Sequence, residues 1–365
     1  MHRPTVVLLA FSALTSVAHA DNTVGWQAYK YVEDNDRIRV VTNDLSVEKD
    51  IGTDLTVHFD AGVDAVSGAT PSWCPKLGYV NEFVSCKSTV EDHTRHSADG
   101  SVTWRDGRRN EYTFGGAVSK ETDFLSRDLS ARAMMWENAS HNRNWTLALD
   151  FQWNTNIANS RTNNTSNEDS HVVGIQAGVN QVIDATSTAE ASIYMLHSDG
   201  YLSNDYLKIV RDDGQGGHVL APDSRPSARN AAGFALRWTK SWRPDLTTNI
   251  WYRWYQDNWG VRGNTVEAKA YWDVNPHWRI NPVLRWHVQQ GANFYRAYGD
   301  TINTFAATGY GTNDARQGPL QAATGELDVE YHPNRDWSFN AGVARYVQNT
   351  GLRSTWLTAG FIMHY

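Results

Sequence analysis

The chain has 365 residues, a formal charge of −7 and only two cysteines. The acidic balance argues against a nucleic-acid partner, and no apolar run reaches the roughly 20 residues a transmembrane helix needs. What remains is a soluble β-rich protein or a membrane β-barrel, whose hydropathy stays polar because only every second strand residue faces lipid.

Residues 1–20 read as a segment removed on export. Arg3 gives a positive start, Val6 to Val17 is a short apolar run, and Ala18-His19-Ala20 supplies a small-residue cleavage site. The mature chain then begins at Asp21, and loss of Arg3 takes the charge from −7 to −8, since the segment holds no acid.

Beyond it the governing pattern is period two. Leu55, Val57, Phe59, Ala61, Val63 and Ala65 alternate with Thr56, His58, Asp60, Gly62 and Asp64. One face is apolar and the other charged, which is a strand with one greasy side. The texture returns at Trp145 to Trp153, Val266 to Val274, Trp278 to Val288 and Trp337 to Val343. The apolar faces often end in Trp or Tyr, as rings at a headgroup layer do.

The spacing predicts strands near 23–33, 37–51, 53–65, 92–104, 110–120, 125–137, 144–155, 170–182, 187–198, 226–241, 246–256, 263–274, 277–290, 319–332, 336–348 and 353–365. That is about 16, with 14–18 open: an all-β, single antiparallel transmembrane barrel over residues 21–365. Short connections such as Asn275-Pro276 alternate with a set that includes 66–91, 156–169, 199–225 and 291–318. Short periplasmic turns and long outside loops separate in this way. In an oxidising compartment Cys74 and Cys86 are expected to pair within one outside loop.

Lipid cannot satisfy a free sheet edge, so the first and last strands must meet. Phe361, Met363 and Tyr365 lie on one apolar face of a last strand ending in an aromatic residue. This is the form of the strand that barrel assembly machinery reads. The expected surroundings are outer-membrane lipid of a Gram-negative cell.

Several segments carry a family resemblance. They are "DNDRIRV", "DIGTDLTV" and "DAVSGATP" between Tyr29 and the Thr70–Pro71 step, "GYLSNDY" from Gly200, "RWYQDNWGVRGNT" from Arg253 and "RWHVQQGANFY" from Arg285. In this order and spacing the chain resembles the bacterial family called domain of unknown function 3570. The resemblance covers nearly all of the mature chain. It departs at Asp205, where many relatives carry Pro, and in the segment of Cys74 and Cys86. It implies an outer-membrane barrel, and neighbouring genes in some relatives imply a redox or envelope role with a small lipoprotein.

The inward side chains hold the candidate chemistry. The set is Arg237, Arg253, Glu267, Lys269, Asp273, Arg279, Arg285, His287, Glu326, Asp328 and Glu330. Rings of charge set ion preference, while the plainer reading is that these pairs brace neighbouring strands. His93 and His96 beside Asp92 lack a third anchored metal ligand and read as solvated loop histidines. Asp212-Asp213-Gly214 lacks calcium-loop spacing. Neither His58 nor His287 has a serine placed for hydrolysis, and no haem or flavin motif is present, so neither catalysis nor a cofactor is expected. The expected function is a porin-like channel for small polar solutes. The alternative is a non-transporting barrel that anchors or ensheaths a periplasmic or surface partner, such as a redox lipoprotein.

Overall fold

Alternating sequences of this length have one way to satisfy their backbone in lipid, which is to pair every edge. The computed structural model describes residues 22–79, 82–159, 165–298 and 304–365. The expected export segment, residues 1–20, lies outside the described residues. In chain order the strands are β1 (Thr23–Glu33), β2 (Ile38–Ile51), β3 (Leu55–Pro75), β4 (Phe83–Arg105), β5 (Glu111–Lys120), β6 (Phe124–Trp136), β7 (Arg143–Asn156), β8 (Glu168–Asp184) and β9 (Ser187–Gly200). They continue as β10 (Lys208–Asp212), β11 (His218–Pro222), β12 (Ala228–Arg243), β13 (Leu246–Asp257), β14 (Arg262–Asn275), β15 (Trp278–Gln290), β16 (Leu320–Tyr331), β17 (Trp337–Gln348) and β18 (Arg353–His364).

All but β10 and β11 join one closed antiparallel barrel of 16 strands, and those two form a separate hairpin. The ring shuts where β1 pairs with β18, from Thr23 opposite His364 to Glu33 opposite Ser354. At that seam Tyr365 donates its backbone N–H to the Asn22 carbonyl at 3.0 Å. The Asn22 amide returns a bond to the Tyr365 carbonyl at 3.1 Å. Phe361 lies 6.1 Å from Trp26 and 5.7 Å from Trp337, so the last strand is held by rings on both neighbours.

One end of the barrel carries short turns and the other carries most of the long connections. Aromatic pairs crowd the short-turn end: Trp104 with Tyr112, Trp238 with Trp242, Trp278 with Tyr331 and Trp337 with Phe339. Trp104, Trp242, Trp272, Trp278 and Tyr365 point outward and stay exposed, as an interfacial girdle requires.

Two expected loops differ. The stretch 66–91 is mostly strand: past a bulge between Val66 and Gly68 the β3–β4 ladder runs on to Pro75 opposite Phe83. Cys74 and Cys86 are joined by a disulfide near the tip of this ribbon. The stretch 199–225 contains the β10–β11 hairpin. Alternation stops marking strands in both places because neither face meets lipid beyond the membrane.

Candidate functional site

A β-strand sends alternate side chains to opposite faces. Leu236 and Trp238, Val266, Leu284 and Trp286, and Leu327 are exposed on the outer face. The residues between them therefore point into the lumen, which places all eleven sequence-derived residues there, on the consecutive strands β12 to β16. Arg237 stands opposite Glu190 on β9 and reaches it at 3.5 Å. Trp251 lies between Arg253 and Arg285, whose guanidinium carbons are each 5.9 Å from its ring. Glu267 faces Trp251 on one side and Arg285 on the other, 3.9 Å from the latter. Arg253 forms no ion pair among the described residues, and its Nε is buried without a partner. His287 Nδ1 meets the Thr265 hydroxyl at 2.9 Å. Lys269 lies 4.7 Å over the Tyr271 ring.

Nearer the short-turn end the same wall is cross-braced. Arg279 bridges Asp273 at 2.6 Å and Glu330 at 3.8 Å. The Asn281 amide donates to Glu330 at 2.6 Å. Glu326 and Asp328 face inward on either side of the outward Leu327. A side chain at Gly342 would overlap the Asp328 carboxylate, so the glycine leaves room for that acid to lie across β17.

The other half of the lumen is acidic, and the eleven-residue set omits it. Asp44, Asp60, Asp64, Asp99, Asp128 and Asp150 share the inward parity on β2, β3, β4, β6 and β7. The signal was present in the sequence, since each sits beside an outward apolar residue such as Leu45, Phe59, Val63, Leu129 or Leu149. In ring order β3 is third and β13 eleventh of 16, half a circumference apart. The carboxylates thus lie across the lumen from a wall of mixed charge, where Arg237, Arg253, Lys269, Arg279 and Arg285 stand among as many acids, so the acidic excess of the lumen sits on one side.

At the long-loop end the connections 201–227 and 291–319 pack on each other. Bridges join Arg211 to Phe305, Ser224 to Gly311 and Tyr295 to Thr312. Ile209 and Val210 are wholly buried, with Leu207 and Phe305 nearly so. The Arg211 guanidinium donates to the Ala306 and Gly309 carbonyls at 2.9 and 2.7 Å. Arg225 clamps the loops together, reaching Asp223 at 2.7 Å and Asp314 at 2.9 Å. Burial pushes the Asp223 carboxyl up despite Arg225. Burial would raise Asp314 too, but Arg316 and Arg225 outweigh it and hold that carboxyl below the usual range.

This pair of loops reaches the far wall. The Tyr206 hydroxyl donates to Asp123, in the β5–β6 turn, and the ring meets His93 edge-on at 6.3 Å. Trp73 on β3 donates to Asn313 at 3.1 Å and packs on Tyr298 at 5.2 Å. Strand spacing of about 4.8 Å and a tilt of about 40° give a barrel roughly 32 Å across. About ten extended residues span that distance, and each loop has more than twice as many. Because β9 and β12 are ninth and tenth in the ring while β3 to β6 are third to sixth, the loops must cross the opening. They form a cap.

The cap corrects the reading of His93. His93 is not solvated but 7% exposed beneath Tyr206. His96 is exposed, and three residues along a strand it points to the opposite face, so the two cannot share a metal. Asp213 accepts the Gln215 and Gly217 N–H groups at 2.7 and 2.8 Å and closes the β10–β11 turn.

The model of the family described as protein of unknown function (DUF3570) matches residues 6–159 and 144–361. The chain belongs to that family. No curated protein matches its sequence. Among solved structures, CdiB from Acinetobacter baumannii superposes with TM-score 0.55 at 7% identity, over 95% of this chain and 60% of that one. A bacterial polysaccharide outer-membrane secretin gives 0.51 at 9% identity, over 95% and 99%. For the ferric enterobactin receptor PfeA the TM-score is 0.44 at 10% identity, over 90% of this chain, and the chain spans only 54% of that receptor. At such identities the likeness is one of fold: this is an outer-membrane type of β-barrel.

Proposed function

We propose that the chain resides in the outer membrane of a Gram-negative cell, short turns toward the periplasm, and passes small polar solutes under a loop cap. The observation that carries this reading is the lumen itself. A ring of 16 strands encloses an acidic wall and a wall of mixed charge, and a barrel of that size leaves room for water. A scaffold with a packed interior has no need of Arg253 unpaired. Single-channel recording on the purified protein in planar bilayers tests it. Discrete conductance steps are expected, larger when the cap is loosened; a folded barrel that never conducts refutes the reading.

The cap supports a second reading, in which the barrel does not transport but holds a partner at its mouth. The buried core around Ile209 and Val210 is the observation that favours it. Absence of conductance together with a stoichiometric co-purifying protein would establish this alternative.

A further inference from the structure

On the acidic wall three donors converge near the short-turn end: His58 and Asp60 on β3 and Asp99 on β4. One donor atom from each lies within 4.8 Å of the others. Asp60 and Asp99 are direct cross-strand partners on the inward face. Like charges placed directly opposite destabilise a ladder. Among the described residues no lysine or arginine pairs with either, and Asp99 makes no hydrogen bond. Of the groups facing them, only His58 is basic, with Nε2 at 2.5 Å from Asp60 Oδ2.

The far side of the imidazole supplies an independent observation. His58 Nδ1 is shielded from solvent and lacks a hydrogen-bond partner. Glu48 Oε2 on β2 stands 3.7 Å from it. A carboxylate behind one ring nitrogen is how proteins fix a ligating histidine: when a cation takes Nε2 in place of its hydrogen bond to Asp60, the remaining ring proton sits on Nδ1, facing Glu48. Here Nε2 points at the two aspartates.

We infer that His58, Asp60 and Asp99 form a binding site for a divalent transition cation, oriented by Glu48. One imidazole nitrogen with two carboxylate oxygens suits Zn2+ and its neighbours better than Ca2+ or Mg2+, which take oxygen alone. Three protein ligands leave a position open to the lumen, so the ion is exchangeable. It neutralises the opposed aspartates and replaces the His58–Asp60 hydrogen bond by two metal bonds. The site stands whether or not solutes traverse the barrel.

The test is calorimetric titration of the full, folded barrel in detergent with Zn2+, alongside Co2+ absorption as a report of nitrogen and oxygen donors. One saturable ion per chain is expected. His58→Gln and Asp99→Asn should each weaken it at least tenfold, and Glu48→Gln about tenfold. Asp150→Asn, on the same acidic wall but away from the cluster, should leave affinity unchanged. Heat-modifiable migration on gels verifies folding of each variant. Should His58→Gln misfold, Asp99→Asn decides alone, because the Asp99 side chain makes no hydrogen bond or ion pair among the described residues. No saturable binding, or equal weakening by Asp150→Asn, overturns the site in favour of diffuse attraction by the wall.

Discussion

Replacing Arg225 with alanine isolates the cap from the barrel. The side chains of Arg225, Asp223 and Asp314 are 7%, 0% and 6% exposed. Asp314 keeps Arg316 at 2.6 Å after the substitution. Asp223 keeps the Asn204 N–H at 2.8 Å but loses the one cation that bridges it among the described residues. Breaking a buried pair by removing one partner costs about 3–5 kcal/mol, because the remaining charge is left uncompensated. At about 1.4 kcal/mol per tenfold, the docked cap loses a factor of at least 100 against the open one. Arg225, Asp223 and Asp314 lie outside the 16 barrel strands, so the barrel should still fold and shift on heating. Amide hydrogen exchange should accelerate across 207–212 and 304–314 and stay slow in β12 to β16. Conductance should rise in the same sample. Unchanged exchange in both loops would refute the clamp and the cap built on it.

The cap should also answer to pH. Burial raises the carboxyls of Asp205 and Asp223, Asp205 against its bond from Tyr201 and Asp223 against Arg225. Raised carboxyls bind more protons docked than free, so docking strengthens as pH falls from neutrality toward the ordinary carboxylate range near 4. Asp314, held low, withdraws its contribution only below that range. Exchange in the cap, corrected for intrinsic rates, should slow between pH 7 and 5, and faster exchange there contradicts the assignment. Reversing the two arginines beside Trp251 with Arg253→Glu and Arg285→Glu should move the reversal potential toward cation preference in a salt gradient; an unmoved potential means that these groups do not line the path. Phe361→Ala removes two ring contacts at the seam, each worth about 1 kcal/mol, and should lower the temperature of the gel shift. Cys74→Ser should loosen exchange at the β3–β4 tip without changing that temperature, since the bridge closes only the end of the ribbon.

Alternation located the faces but not the partners. Leu284 and Trp286 announce that Arg285 points inward. Nothing in the sequence places it opposite Glu267, because register across a ladder depends on turns that the period does not encode. The acidic wall was as legible as the mixed-charge one, since Asp60 lies between Phe59 and Ala61 on a strand whose polar face was already assigned. The cap was not legible, because its segments obey no lipid-imposed period. Ile209 and Val210 read as an ordinary apolar pair until the fold shows Phe305, nearly 100 residues later in the chain, beside them.

The segments that carry the family resemblance fall mainly at this end of the molecule. "GYLSNDY" supplies Tyr206, which ties the cap to Asp123, and Asn204, whose N–H holds Asp223. The segments from Arg253 and Arg285 supply Trp259, Val261, Ala292, Phe294 and Tyr295, one buried cluster at the rim where the cap is rooted. Trp259 is its centre: 4% exposed, its indole N–H on the Ala228 carbonyl at 3.0 Å, Phe294 at 5.2 Å and the Arg229 guanidinium 4.5 Å over the ring. Lipid would accept many apolar sequences on the strands, so a recognisable order of residues needs another cause. A cap of fixed shape is such a cause, since each of these contacts specifies a side chain. Trp259→Ala should therefore cost about 3–5 kcal/mol locally. Exchange should quicken in 201–207 and 291–298 while the barrel still shifts on heating. Loss of the barrel instead would make Trp259 a strut of the wall, and the family signature a requirement of folding rather than of the mouth.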